Sequence, residues 1–350
     1  MLILDMRFPF IPFVFITLLL SLSCKNEVNL NAPQKDMLVV YGVLNPNSDI
    51  QFIRVSKLFL PEGDAIQYAA NNDLTLNSTQ AEVYLQGIKM RDTFITRNTG
   101  IFTPGQHVFY LDKTDLTIQA GTRYNLEVKY LPNQAANIKA HTTIPARPQL
   151  ISPFSPIYSG GGLNIANAPV AFENATKITI AKTTYAASYE LRMFFKYFEN
   201  GSERNVVYGP RSFTTSVNCT GGKDICYGLQ KGEVLDFILS TQQVSNPSPN
   251  YYTSIDTPLN VPSAQIDRLN KSNYLSITAV DSFLYLYMLA NNSNSSSFAT
   301  STLEYTNVEN GAGVFGSFSE AGTYVDFTQC GKYLLHFNNT ASPGSYCRLN

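Results

Sequence analysis

The pattern that most restricts this chain is a strict alternation of apolar and polar residues over short segments. Tyr124, Leu126, Val128 and Tyr130 alternate with Asn125, Glu127 and Lys129. An extended backbone places successive side chains on opposite faces, so such a segment is a half-buried strand. Similar strand-like segments recur at Met37–Leu44, Gln51–Leu58, Ala81–Leu85, Asp92–Arg97, His107–Leu111, Arg123–Tyr130 and Asn137–Ile144. Turn residues separate them, notably Asn45-Pro46-Asn47, Asn98-Thr99-Gly100, Gly105 and Gly121. That rhythm, over about 110 residues, predicts an antiparallel β-sandwich of immunoglobulin-like size for residues 37–147.

Pro145, Pro148, Pro153 and Pro156, followed by Ser159-Gly160-Gly161-Gly162, interrupt the pattern and set a domain boundary near residue 148. Residues 148–350 read as a second, β-rich domain with short helices. Ala187–Glu199 is a long strand with Tyr189, Leu191, Met193, Phe195 and Tyr197 on one face. Tyr274–Val280 is another. Glu233–Gln243 has helical spacing of its apolar residues, and Asp281 is placed to cap a buried helix running to Ala290. Asn291–Ser297 reads as an exposed Ser/Asn loop.

The N-terminus carries a different signal. Arg7 precedes a short apolar run, Phe8–Leu22, and Ser23-Cys24 is followed at once by Lys25-Asn26-Glu27. The run is shorter than the roughly 20 apolar residues of a membrane span and matches a signal core. A small residue before a cysteine predicts a bacterial lipoprotein signal, although Ser21 stands where Leu is usual. An ordinary secretory signal and an uncleaved anchor fit the segment less well. Residues 1–23 are therefore read as a signal peptide and 24–36 as a tether lipidated on Cys24. One acyl chain holds a protein to a membrane only marginally, whereas the two or so carried by such a cysteine anchor it stably.

Charge is nearly balanced, with 25 basic and 26 acidic residues, so nucleic acid is excluded as a partner on electrostatic grounds. Apart from Cys24, the cysteines are Cys219, Cys226, Cys330 and Cys347. In an exported protein an even number points to disulfides. Proximity favours Cys219–Cys226 and Cys330–Cys347 among the three possible connectivities. The rival, a zinc site, prefers tighter pairs.

Gly311-Ala312-Gly313-Val314-Phe315-Gly316 matches a dinucleotide-binding fingerprint in letters only. A true site needs a helix next and an acid about 20 residues on. Gly322 interrupts the would-be helix, and Glu320 and Asp326 are too near. Gly311, Gly313 and Gly316 are read instead as a structural turn. The three histidines, His107, His141 and His336, stand in no recognisable catalytic or metal-binding spacing. No enzyme activity and no cofactor is expected. Tyr208, Tyr227, Tyr251 and Tyr252 either present contact area for a protein or glycan or cover the edges of the core.

Three segments carry a family resemblance. They are Cys24–Leu30 leading into Leu38-Val39-Val40-Tyr41-Gly42-Val43-Leu44, then His141-Thr142-Thr143-Ile144-Pro145, and Thr306–Gly316. Together they resemble DUF4249, a family of Bacteroidetes lipoproteins, over nearly the whole mature chain. Tyr41 departs from the frequent Glu at its position. The resemblance implies an outer-membrane lipoprotein encoded beside TonB-dependent transporters, serving as an accessory or ligand-capture subunit of uptake. It brings no catalytic residues. The alternative is a stand-alone structural or adhesive surface lipoprotein. Lys25, with a single nearby acid at Glu27, is a slight pointer to the cell-surface rather than the periplasmic face.

Overall fold

The computed structural model describes residues 37–58, 65–96, 105–152, 177–199, 202–214, 219, 224–228, 237, 274–293 and 305–324. The fold is mainly β. The strands are β1 (Leu38–Leu44), β2 (Ile50–Lys57), β3 (Ala81–Leu85), β4 (Ile88–Lys89), β5 (Arg91–Thr96), β6 (Gly105–Asp112), β7 (Arg123–Tyr130) and β8 (Ile138–Thr143). They continue as β9 (Gln149–Ser152), β10 (Lys177–Ala181), β11 (Ser188–Glu199), β12 (Ser202–Thr214), β13 (Asp224–Gly228), β14 (Tyr274–Val280) and β15 (Gly311–Tyr324). Helix α1 is Ala65–Asn71 and helix α2 is Ser282–Ser293. The seven strands expected from alternation before residue 147 are all present, shifted by at most two residues at their ends.

They form three sheets. One has eight strands in the order β12-β11-β14-β15-β1-β2-β6-β5; the others are β4-β3-β7-β8 and β13-β10-β9. β15 joins the two parts of the large sheet. Its first half runs parallel to β1, from Leu38 opposite Gly311 to Leu44 opposite Ser317. Its second half runs antiparallel to β14, from Phe318 opposite Val280 to Tyr324 opposite Tyr274. The large sheet therefore takes strands from both sides of residue 148.

Alternation along β15 shows how the layers stack. Phe315 and Ser319 share a face with Val40 and Leu44 through the β1 register, and with Ala279 through the β14 register. Tyr189, Leu191 and Met193 of β11 lie on that same face. Both smaller sheets thus cover one side of the large sheet. The four-stranded sheet encloses a first core that includes Val40, Ile53, Phe109, Leu126, Ile138 and Phe315. The three-stranded sheet encloses a second, including Ile178, Ile180, Ile225, Tyr189, Leu191 and Ile277. Each large side chain buried this way contributes about 1.5–3 kcal/mol.

The glycines expected in a turn lie in strand β15 instead. The turn falls just before them, where Asn310 adopts φ 60°. Gly313 has φ +101°, and a Cβ there would stand 2.0 Å from the Val40 carbonyl oxygen. Gly311 meets the Leu38 carbonyl in the same way, and Gly316 lies against Leu284 of α2 on the other face. The glycine spacing is the imprint of a close parallel seam on one side and a helix on the other.

Asp281 caps α2 as expected, its Oδ1 accepting the Leu284 N–H at 2.7 Å. The helix runs on to Ser293, into the expected loop. It is not a buried helix: Leu286 and Leu289 are exposed, because α2 covers one side of a sheet and only one of its own faces has a partner. Of Glu233–Gln243 only Phe237 is described; it is helical and packs on the second core. Cys219 and Cys226 are joined by a disulfide with Cα atoms 5.0 Å apart. Cys24, Cys330 and Cys347 lie outside the described residues.

Replacing Gly313 by Ala is expected to destabilise the protein by about 2–4 kcal/mol, since both the left-handed backbone and the carbonyl contact oppose a Cβ. Gly87→Ala, with φ +80° but open space around it, is expected to cost only about 1–2 kcal/mol. Equal losses in chemical denaturation would show that the seam is not tightly closed.

Candidate functional site

The segment after β14 and the end of β8 meet beside β15, and the chemistry of the molecule's waist begins there. Asp281 is buried. Its Oδ2 accepts hydrogen bonds from the Thr142 hydroxyl and, at 3.2 Å, from the Ser317 hydroxyl. Thr142 and Ser317 are 2.8 Å apart through their hydroxyl oxygens. The Asp281 N–H donates to the Ser317 carbonyl at 3.1 Å. One carboxyl thus ties β8, β15 and α2 together. Burial pushes it above the ordinary carboxylate range, against the pull of hydrogen bonds from Thr142, Leu284 and Ser317.

A second clamp lies alongside. The Asn307 side chain accepts from the Phe315 N–H at 3.0 Å and donates to the Phe315 carbonyl at 2.7 Å. It therefore mimics a neighbouring strand on the edge of β15 that β1 does not cover. The same amide reaches the His141 carbonyl at 3.3 Å. Val308 completes the first core, and Glu309 pairs with Lys139.

Above these contacts, the outer face of the β7–β8 pair is a polar ladder. Arg123 stands opposite Thr143, Asn125 opposite His141, and Glu127 opposite Lys139. Their neighbours Tyr124, Leu126, Ile138 and Ala140 point into the core. The ladder floors two adjoining cavities of about 350 and 320 Å³ that share Arg123 and His141. The larger is walled by Tyr185, Ser282 and Phe283, the smaller by Tyr84, Glu127 and Glu309. The His141 ring meets Phe283 edge-on at 5.3 Å.

Tyr185 rims the larger cavity in an unusual state. It is 57% exposed and has φ 65°. A bulky residue pays about 1–2 kcal/mol for that left-handed backbone. The turn is held by Thr184, whose carbonyl accepts the Ala146 N–H at 3.0 Å, and by Ala187, whose N–H donates to Val280 at 2.8 Å. The fold holds an aromatic ring at the mouth of a cavity floored by a cation and an imidazole. The larger cavity offers a cation, an imidazole and an aromatic ring, and the smaller adds Lys139 beside Glu127 and Glu309.

The sequence matches the family described as "Domain of unknown function (DUF4249)" over residues 25–323. The chain belongs to this family. Comparison with curated proteins gives no match. The DUF4249 match ends at Thr323, one residue before the end of β15. The described parts of the resembling segments meet: Leu38–Leu44 lies along Gly311–Ser317, Thr142 bonds Ser317, and the His141 carbonyl accepts from Asn307.

Other sequence candidates fall elsewhere. His107 sits against Phe94 at 5.1 Å, and its Nδ1 is 3.8 Å from Asp92, longer than a hydrogen bond. His336, Tyr251 and Tyr252 lie outside the described residues. Tyr208 is buried in the second core and Tyr227 stacks on Phe213 at 4.8 Å, so both serve the core rather than a binding surface. Among the described residues no group of three or more His, Cys, Asp or Glu is placed to hold a metal. Arg123, Tyr185 and Asp281 were not singled out as site residues from sequence; a polar ladder outside a strand pair carries no local signal of a cavity.

Asp281 holds its proton more tightly in the folded chain than in the unfolded one. Its contribution therefore favours folding below the ordinary carboxylate pKa and declines as pH rises through the raised folded value. Asp281→Asn is expected to flatten that decline while keeping the cap acceptor. Asp281→Ala strands the Leu284 N–H, while the Thr142 and Ser317 hydroxyls keep each other and the Thr143 carbonyl, at a cost of roughly 1–2 kcal/mol. Denaturation midpoints from about pH 4 to pH 8 check this; an Asn variant with the wild-type pH slope would rule Asp281 out as its source.

Proposed function

We propose that this DUF4249 protein is an outer-membrane lipoprotein, anchored through lipid on Cys24, that serves as a non-enzymatic ligand-capture or accessory subunit of a TonB-dependent uptake system. The observation that carries the capture role is the waist groove, where two cavities share Arg123 and His141 and the strained, exposed Tyr185 lines the larger. Anchoring is supported by the signal-like segment ending at Ser23 and by a family match that begins at Lys25. The Cys219–Cys226 bond fits an oxidising, extracytoplasmic compartment.

The proposal extends to architecture. The first body is taken as an immunoglobulin-like sandwich, its two layers β4-β3-β7-β8 and β5-β6-β2-β1 enclosing one core. The second is a β-rich unit built on residues beyond 148, with β15 shared between them.

Gentle-detergent pull-down of the tagged protein from its native outer membrane is expected to recover a TonB-dependent barrel in stoichiometric amount. Arg123→Glu is expected to keep the barrel in the pull-down while lowering uptake of the transported substrate. A preparation free of barrel would overturn the proposal in favour of a stand-alone structural or adhesive lipoprotein.

A further inference from the structure

We infer that one pole of the first body, where β1 begins, rests on the lipid surface, with Leu58, Tyr68, Phe94 and Leu131 as its contact side chains. This builds on the reading of Cys24 as lipidated. A fully extended chain spans at most about 3.3–3.6 Å per residue, so Met37 lies within roughly 45 Å of Cys24. The first described strand begins at Leu38, and a tether of that reach lets that end of β1 meet the membrane.

Three exposed apolar side chains, Leu58, Phe94 and Leu131, gather toward that end by strand register, and Tyr68 joins them through chain connection. Lys57 pairs with Leu38, and the Leu58 N–H donates to the Met37 carbonyl at 2.8 Å. The segment after α1 returns there, the Leu74 carbonyl accepting the Lys57 N–H at 3.1 Å, and Tyr68 belongs to the short helix that precedes this segment. Phe94 lies opposite His107, whose N–H donates to Thr75, itself bridged to Ser56. On the other sheet, Leu131 follows Tyr130, the partner of Ala81. That level is tied to the start of β15 through Val128 with Ile138 and Lys139 with Glu309.

Leu58, Tyr68, Phe94 and Leu131 are 42%, 43%, 57% and 48% exposed. Single exposed apolar residues are ordinary on a protein surface. A group of them where the chain leaves toward a lipid anchor has a natural occupant. Leucine and phenylalanine enter the acyl boundary, and tyrosine sits at the headgroup level with its hydroxyl wet. The lipid supplies the affinity, and the pole fixes orientation. It places the larger cavity, beside Thr143 and Asp281, about 20 Å above the membrane, the length of β15 from Gly311 to Ser317 at the usual strand rise.

The chain contains no Trp, so one introduced indole reports alone. The full lipidated protein would carry Leu131→Trp, Leu58→Trp or Val207→Trp and be reconstituted into phosphatidylethanolamine–phosphatidylglycerol vesicles containing brominated lipid. Val207, also exposed, lies toward the far end of the second body, opposite Phe194. Emission from positions 131 and 58 is expected to shift to the blue and be quenched, while that from position 207 stays unquenched. Vesicle-bound protein in which all three indoles are equally accessible to water overturns the orientation and leaves lipidation standing. Protein that does not stay with the vesicles, or a Cys24→Ala form that stays equally well, removes the lipidation reading and the pole with it.

Discussion

The parallel pairing of Leu38–Leu44 with Gly311–Ser317 is the contact on which the rest of the molecule depends. No hairpin can join parallel strands, so this pair is closed only by the chain between them. Once formed, it places β15 in both parts of the large sheet. Its first half completes the first core with Phe315, and its second half gives β14 a partner. The seam is close enough that the Val40 carbonyl occupies the space a side chain at residue 313 would need. Position 313 is therefore restricted to a residue without a Cβ.

What lies on the other edge of β15 makes the waist. Among the described residues, that edge of its first half has no strand partner. Asn307 supplies the missing hydrogen bonds from a side chain, and the Asp281 carboxyl gathers Thr142, Ser317 and the start of α2. Both groups hold β8 in place, and the outward face of β8 is half the floor of the groove. A buried carboxyl is an expensive way to hold three elements together, because its ionised form is desolvated. Its value is directional: the cap and the two hydroxyls admit one geometry, which a purely apolar contact would not. Phe283, at the capped start of α2, is set against His141 by that geometry.

Much of the fold was legible in the residues. Alternation located the strands before residue 147, the long β11 and β14, because a side-chain period of two reports burial of one face wherever the strand goes. Asp281 announced a helix start, since capping is settled within three residues. Proximity named the Cys219–Cys226 bond. The glycine segment was legible as structural but not as a strand: glycines mark close approach without saying what approaches. Tyr208 and Tyr227 carried no local sign of their burial, which depends on the partners β11 and β13 bring.

The site was less visible than the fold. Arg123 and His141 are two outward residues on ordinary strands, and nothing in their neighbours distinguishes them from other solvated positions. By itself the sequence determined the short-range features: strand periods, turns, the helix cap and the signal-like segment ending at Cys24. Each is decided by atoms a few residues apart. Only the tertiary structure decided that residue 313 faces the carbonyl of residue 40, that Thr142 and Ser317 share the carboxyl of Asp281, and that Tyr185 and Arg123 line one cavity. Those contacts join segments from tens to hundreds of residues apart, and local propensity has no information about which distant surface will bury a given face.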